Sequence, residues 1–459
     1  MSEDDAAATG PERFGYRQEL KRSLSLTDLL VYGLVLISPI APFGVFGFVF
    51  NASQGMVPLV YAIGLAAMLF TALSYLTMSR AFPVAGSVYA YAGRGIGEAA
   101  GFLAGWALLL DYLLIPTLIY VACAIAMTAV APQVPKAVWV VLFLSLNTAV
   151  NLIGIDATKT VNKVLFGIQL VILASFVAAA LLGLANGTEG AHLSMKPLWN
   201  PEVATPALLF GALSLAALSF LGFDAISTMA EETRGGPKVV GVATVLSLVL
   251  AASLFIGQTY LASLFVLGRT SFPAGDASAN AMVSIAALIG GQPLKWAVAV
   301  LGVVLSGLAG AMGAQAATAR LLFSMARDGK LPRGLAHVDT RRHAPQRALL
   351  LVAGLSLVLA LSMVSQLKLL VSLVNFGALF GFLMLHLSVV VHFIWRNRSR
   401  RWIMHLLVPG LGFAVVAYVL ACTDPLAKIA GGVWLAVGVV VLVVLKLRGQ
   451  STALPVEGD

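Results

Sequence analysis

The chain has 459 residues, of which 59% are hydrophobic and only 11% are charged, with a mean hydropathy of +0.94. A soluble globular protein carries about twice that share of charged residues, so the composition excludes a soluble fold and indicates an integral membrane protein. The net charge of +9 would suit a nucleic-acid partner, but the placement of the basic residues described below argues for membrane topology instead.

Twelve apolar segments, each long enough to cross a hydrocarbon core of about 30 Å, recur along the chain and are numbered here in order. They lie near residues 29–50, 57–79, 98–129, 137–155, 162–185, 206–231, 238–267, 294–325, 347–366, 369–395, 402–421 and 429–447. Residues 1–24 and 449–459 are polar tails, and residues 1–22 lack the apolar core of a cleaved signal peptide. The sequence predicts an all-α membrane protein with twelve transmembrane helices.

Segment 1 contains two prolines in mid-span, Pro39 and Pro42, followed by Gly44 and Gly47. A proline inside a helix removes a backbone donor and clashes with a preceding carbonyl, so this helix should break. Backbone groups released at a break can hold ions and charged substrate groups without any side-chain charge. The candidate substrate-binding residues of this segment are therefore Ser38, Pro39, Ile40, Ala41, Pro42 and Phe43.

Segment 3 carries Asp111 in the middle of the apolar stretch GWALLLDYLLIPTLIY. An acid at membrane depth costs several kcal/mol unless it faces protein or water, which makes it a candidate for substrate binding or proton coupling. The alternative is a structural hydrogen bond to a neighbouring helix. The hydroxyl of Tyr112 follows directly and could reach the same cavity.

Segment 6 carries the second deep acid, Asp224, within the apolar stretch that runs from Pro206 to Glu232. Gly222 weakens the helix beside it, at the depth where transporters with discontinuous helices build their sites. Asp224 is therefore the main candidate for substrate binding and proton coupling, together with the backbone of Gly222. Phe220 and Phe223 are candidates to close over a substrate, although most membrane phenylalanines face lipid or neighbouring helices.

The two predicted breaks lie five segments apart, so segments 1 and 6 enter the membrane from opposite faces. This is the pattern of a five-helix unit repeated with inverted topology, with both broken helices unwound at the membrane midplane. The sequence predicts a ten-helix transport core over residues 25–400, made of repeats at about 25–190 and 200–400. Helices 11 and 12 follow in residues 401–448.

Basic residues are distributed unequally between the two sides of this topology. Most of the 29 Lys and Arg residues fall on the side of the termini, and the rest are Lys136, Lys196, Arg269, Lys295, Lys368 and Lys428. By the positive-inside rule both termini lie in the cytoplasm. Acids near segment ends, including Asp28, Glu231 and Glu232, are expected to be solvated or paired with loop Lys and Arg.

Enzyme signatures are missing from the sequence. It has no metal-ligand spacing of His or Cys, no phosphate-binding loop and no nucleophile–base arrangement, so we expect neither catalysis nor a cofactor. His386 is an expected structural residue of segment 10, with a proton-relay role left open.

Three stretches resemble the amino acid–polyamine–organocation permeases, and among them the bacterial putrescine importers. They are FPVAGSVYAYA followed by GWALLLDYLL, then SFLGFDAISTMAEET (Ser219–Thr233), then ARLLFSMARDGKLP (Ala319–Pro332). The similarity extends over essentially the whole chain. It implies a five-plus-five inverted-repeat core, with substrate held between segments 1, 3, 6, 8 and 10. It also implies proton-coupled uptake or exchange of amino acids or polyamines.

These observations predict a secondary transporter of the cytoplasmic membrane that imports amino acids or polyamines by proton symport. An exchanger with the same fold is the alternative. A receptor or scaffold without transport is a third possibility, but a scaffold gains nothing from a pair of interrupted helices. The expected partners are a small-molecule substrate, protons and the lipid bilayer, with no nucleic acid.

Overall fold

A computed structural model describes residue 20 and residues 22–128, 133–153, 155–273, 276–300, 306–339, 345–364, 367–423 and 425–447. These residues form helices and no strand, apart from one isolated bridge between Leu24 and Thr233. The predicted terminal tails lie almost entirely outside the described residues.

The α-helices are numbered in chain order. They are α1 Leu26–Ile37, α2 Phe46–Ser53, α3 Val57–Ala81, α4 Ser87–Gly95, α5 Glu98–Thr128, α6 Lys136–Ile153, α7 Ile155–Ala185, α8 Pro206–Ala216, α9 Pro237–Leu264, α10 Asp276–Ala279, α11 Ala281–Trp296, α12 Ser306–Arg327, α13 Gln346–Ser362, α14 Leu367–Val389, α15 Val408–Ala421 and α16 Pro425–Leu447. The 3₁₀ helices are Ala41–Gly44, Thr188–Gly190, Ala217–Phe220, Phe223–Glu232 and Arg333–Ala336, and the π-helices are Val390–Arg396 and Ile403–Leu407.

Eleven stretches of the described chain are long and apolar enough to cross a membrane. Ten of them correspond to segments 1–7 and 10–12 of the sequence, and the eleventh, Ala281–Val300, overlaps segment 8 only in residues 294–300. Helix α13, at the place of segment 9, is apolar but only 17 residues long. The multi-pass membrane architecture is confirmed, and the total of twelve spans stays a prediction.

Segment 8, predicted at 294–325, is preceded by a bent helix. Helix α11 begins at Ala281 and bends at Gly291, where φ is 65°, so the kink precedes the predicted start of the segment. Residues 301–305 lie outside the described residues, and α12 resumes at Ser306 and continues to Arg327. Arg320 and Arg327 lie on this helix.

Segment 1 changes conformation between Ile37 and Phe46. Ser38 has φ 61° because the following Pro39 disfavours helical geometry in the residue before it. A short 3₁₀ turn, Ala41–Gly44, with Pro42 near its start, then leads into α2.

Segment 6 begins with Thr205, whose hydroxyl accepts from the Leu208 amide at 3.3 Å and caps α8. The chain turns out of the helix at Leu221 and Gly222, which have extended and left-handed backbone conformations respectively. The segment resumes as the 3₁₀ helix Phe223–Glu232.

One extended hydrophobic core surrounds segments 1 and 6. Helices α3 and α9 pack against each other, and α5 packs against both α12 and α14. Helix α16 is different, because a stripe of its large apolar side chains is exposed: Leu426, Ile429, Val433, Val437 and Val440. In a membrane protein such a stripe fits contact with lipid. The outer helices thus leave segments 1 and 6 enclosed by α3, α5, α9, α12 and α14.

Candidate functional site

The two interruptions lie directly against each other. A Cβ atom built on Gly222 would be 2.9 Å from the backbone carbon of Leu36 and 3.0 Å from its carbonyl oxygen. Gly222 therefore permits a backbone-to-backbone approach between segment 6 and the last turn of α1. The left-handed φ of 111° at Gly222 is itself favoured by glycine. Released peptide groups of both segments are thus brought to one place.

Asp224 lies just beyond this contact and is almost fully buried. Its Oδ2 accepts a hydrogen bond from the Tyr112 hydroxyl at 2.7 Å, and its Oδ1 accepts from the Gly222 amide at 3.3 Å. No Lys or Arg of the described chain forms an ion pair with it. The structure therefore brings together three of the predicted site residues, Tyr112, Gly222 and Asp224, through α5 and segment 6.

Asp111 is also buried, and its Oδ1 has no hydrogen-bond partner among the described residues. Its Cβ atom would be 3.0 Å from a Cβ built on Gly377, so α14 approaches α5 closely here. Asp111 is the neighbour of Tyr112 on α5, and Tyr112 hydrogen-bonds Asp224, so the two acids lie in one region of the bundle. An acid whose oxygen stays unpaired after burial is poorly explained as a structural hydrogen bond between helices.

The segment 1 residues surround the interruption and are largely buried. Pro39 presents its carbonyl to the Gln258 side chain, whose Nε2 donates to it at 2.8 Å. Phe43 packs on Phe176 of α7, with ring centroids 5.3 Å apart. Ile40 and Pro42 are buried, whereas Ser38 and Ala41 are half-buried.

Phe220 and Phe223 are fully buried in two separate aromatic clusters. Phe220 packs against Tyr61 and Phe255, with ring centroids 5.8 and 5.6 Å away. Phe223 lies 6.0 Å from Tyr75 and 5.6 Å from Phe382 of α14. Phe220 thus lies before the Leu221–Gly222 interruption and Phe223 lies after it.

Two amides that sequence reasoning missed also belong to this region. Gln258 of α9 and Asn375 of α14 are buried, and neither Gln258 Oε1 nor Asn375 Oδ1 has a hydrogen-bond partner among the described residues. Asn375 lies two helical turns from Phe382 and so on the same face of α14. The signal available in the sequence was a single amide within a long apolar segment.

Ion pairs close one end of the bundle, which we call the ion-pair end and define by Asp28, Glu231 and Glu232. Arg327 binds Glu231 through two hydrogen bonds of 2.9 and 2.8 Å, and Arg320 binds both carboxylate oxygens of Glu232. Lys163 pairs with Asp28 at 2.7 Å. The expectation of pairing is met, but all three cations lie on helices rather than in loops, Arg320 and Arg327 on α12 and Lys163 on α7.

The residues just before α1 are hydrogen-bonded to segment 6 at the ion-pair end. The amides of Ser23 and Leu24 both donate to the Glu232 carbonyl at 3.0 Å, and the Arg234 amide donates to Leu24 at 2.8 Å. The Tyr32 hydroxyl donates to the Gly313 carbonyl at 2.8 Å. Segments 1, 6 and 8 are therefore tied together beyond the site.

His386 has a structural environment, as expected from the sequence. It is fully buried and lies 3.1 Å from the Thr71 hydroxyl and 3.0 Å from that of Ser74, both on α3. Within the described part of the chain, no group of three or more His, Cys, Asp or Glu side chains could hold a metal ion.

Comparison with known proteins identifies the family. A family model described as amino acid permease matches residues 26–450. The chain is 31% identical over 432 residues to the low-affinity putrescine importer PlaP of Escherichia coli K12, covering 93% of this chain and 94% of that protein. It is 28% identical over 415 residues to the branched-chain amino acid permease BcaP of Bacillus subtilis, covering 85% and 83%. With BcaP of Lactococcus lactis, identity is 24% over 459 residues, covering 91% and 93%.

These relatives are transporters rather than enzymes, and the resemblance seen in the sequence is confirmed. Together with the apolar helices, the comparisons lead to one conclusion. The chain is a multi-pass membrane protein that belongs to the amino acid permease family of the amino acid–polyamine–organocation superfamily.

Proposed function

We propose that this protein is a secondary active transporter that imports amino acids or polyamines across the cytoplasmic membrane by proton symport. Asp224 carries the proposal: a buried carboxylate beside an interrupted span, without a cationic partner in the described chain. An uncompensated buried charge is strongly unfavourable, so a bound ammonium group or a proton would stabilise it. Asp111, with its unpartnered Oδ1, is the second proton-coupling candidate.

Packing between corresponding segments supports a core of two inverted five-helix repeats. Segments 1 and 6 meet at Leu36 and Gly222, segments 2 and 7 pack as α3 and α9, and segments 3 and 8 pack as α5 and α12. Each pair is five segments apart, as the repeat requires. Rocking of one helix bundle against the other around this fixed site would give alternating access. Both termini are assigned to the cytoplasm by the distribution of basic residues.

Replacing Asp224 with Asn tests the proposed site. We expect Asp224→Asn to lose substrate uptake in proteoliposomes, because an amide cannot neutralise an ammonium group or carry the coupled proton. The shape of the side chain and an acceptor for the Tyr112 hydroxyl remain, so the variant should still fold and insert. Normal uptake by a folded Asp224→Asn protein would refute the site.

The same proteoliposomes separate symport from exchange. Symport predicts that an inward proton gradient drives accumulation into empty vesicles. Exchange predicts uptake only into vesicles preloaded with a counter-substrate.

His192→Gln, at an exposed position outside the site, is the matched control for Asp224→Asn and should transport as the wild type does.

A further inference from the structure

We infer that the site of this protein takes an organic cation that has two amino groups and no carboxylate. This inference rests on the proposed transport function and narrows it, since amino acids would then be poor substrates. It depends on three observations: where the buried charges are balanced, which oxygen atoms lack partners, and which backbone donors are already used.

Buried charge is balanced at one end of the bundle but not at the site. Within the described residues, Glu231 and Glu232 are paired with arginines and Asp28 with a lysine. Asp111 and Asp224 have no such partner, although both are at least as buried as Asp28. The buried cationic side chains of the described chain are Arg320 and Lys330, and neither contacts these two acids. Two acids therefore share one region without a side-chain cation.

Acceptors without partners occur on helices that line the two interruptions. Asp111 Oδ1, Gln258 Oε1 and Asn375 Oδ1 have no hydrogen-bond partner among the described residues. Gln258 is fixed to the segment 1 interruption through Pro39, and Asn375 lies on the face of α14 that carries Phe382, the residue packed on Phe223. A buried acceptor without a donor is unfavourable, and an ammonium group offers three donors and no acceptor. The site therefore needs hydrogen-bond donors with positive charge.

Backbone donors that could bind a substrate carboxylate are almost all in use in segment 1. Prolines 39 and 42 have no amide hydrogen. The amides of Ser38, Ala41, Phe43 and Val45 donate to backbone carbonyls at 2.9 to 3.1 Å. The Gly44 amide belongs to the 3₁₀ helix Ala41–Gly44, so between Ser38 and Val45 only the Ile40 amide is left, and one amide cannot form an anion-binding nest.

Segment 6 does not supply the missing anion site. The start of its 3₁₀ helix, where amides would attract an anion, already holds the Asp224 carboxylate, which accepts from Gly222. A substrate carboxylate placed there would meet Asp224 and be repelled. The arrangement therefore selects against a carboxylate and in favour of a cation.

The position of the two acids assigns a place to each amino group. One ammonium group would bind Asp224 beside Tyr112, and the second would bind Asp111 Oδ1. A linear diamine has this charge pattern, whereas an α-amino acid puts a negative group beside one of its ammonium groups.

Uptake of matched pairs of compounds tests the inference on the full-length protein in proteoliposomes. Cadaverine and lysine differ by one carboxylate, as do putrescine and ornithine, and agmatine and arginine. We expect initial uptake of each decarboxylated member to exceed that of its amino acid at least tenfold. Equal or faster uptake of the amino acids would overturn the inference and leave the proposed transport function intact. Uptake of neither member of any pair would overturn both.

A single substitution tests the assignment of the second ammonium group. Asp111→Asn should weaken the binding of cadaverine at least tenfold, measured by ligand-induced thermal stabilisation of the purified protein. It should leave the binding of pentylamine, which has one ammonium group on the same chain, within about twofold. A purely structural role of Asp111 would weaken both ligands alike and would contradict the assignment.

Discussion

Gly222 has a backbone conformation and a packing environment that together exclude a larger side chain. Its φ is 111°, and an added Cβ would meet the backbone of Leu36 rather than a movable side chain. The close contact between segments 1 and 6 therefore depends on one residue that has no side chain.

Gly222→Ala should destabilise the protein by about 1–3 kcal/mol and sharply reduce uptake, because the strained backbone conformation must change or α1 must move away. Thermal unfolding in detergent and proteoliposome uptake measure the two effects. Gly211→Ala is a matched control in the same segment, since no atom lies within 4 Å of an added Cβ there. That control should be neutral or slightly stabilising, and an equal loss in both variants would contradict the account.

The predicted site residues differ in how readily sequence alone could place them. Asp111 and Asp224 stand out because a carboxylate is rare in an apolar segment. The hydrogen bond from Tyr112 to Asp224 joins residues that are 112 positions apart, and no local pattern encodes that contact. Gln258 and Asn375 were missed for the same reason, because a lone amide in a membrane helix has no distinct signal before its neighbours are known.

Segment 6 is the element on which the site and the ion-pair end meet. Its second half, the 3₁₀ helix Phe223–Glu232, begins at the site with Asp224 and ends with Glu231 and Glu232 bound to α12. A long 3₁₀ stretch has poorer hydrogen-bond geometry than an α-helix and often marks a hinge. We therefore expect the helix Phe223–Glu232 to bend more easily than an α-helix between the site and the ion-pair end.

Breaking the buried pair of Glu232 and Arg320 should destabilise this end. Glu232→Gln leaves the arginine buried without a counter-charge, so we expect a loss of about 3–5 kcal/mol in the free energy of unfolding. Lys163→Gln is the control with a smaller expected loss, about 1 kcal/mol, because the Lys163 side chain is 46% exposed and the buried Asp28 keeps its hydrogen bonds from the Ser25 amide and hydroxyl.

Replacing both partners, as Glu232→Leu with Arg320→Met, should recover most of the lost stability, since no unpaired charge then remains. Thermal unfolding of the three variants and of the wild-type protein measures each effect. If Glu232→Gln cost no more than Lys163→Gln, the ion-pair end would not be a stabilising closure of the bundle.

Sequence reasoning predicted the elements of the fold better than their junctions. Proline and glycine spacing predicted where segment 1 leaves helical geometry, and the structure changes conformation at Ser38. The kink at Gly291, just before the predicted start of segment 8, was missed because it depends on a backbone conformation that hydropathy does not report. The same limit applies to Arg320, whose partner on segment 6 is 88 residues away in the chain.

At the scale of the whole molecule, the acids that are paired with cations and the acids of the candidate binding site lie in different places. Acids at the ion-pair end are paired with cations of the protein, whereas within the described residues Asp111 and Asp224 have no cationic side-chain partner and Asp111 Oδ1 has no hydrogen-bond partner. The membrane-spanning helices enclose that site within an extended apolar core, where an unbalanced charge is most costly. A small cation is the missing component that this arrangement would bind.

The most direct test is an experimental structure of the protein in lipid nanodiscs with saturating cadaverine. Our account predicts that segments 1 and 6 are interrupted at Ser38 and Gly222, and that one ligand nitrogen lies about 3 Å from an Asp224 carboxylate oxygen. Two continuous helices with Asp224 paired to an arginine or lysine, or a ligand bound away from Asp224, would contradict it.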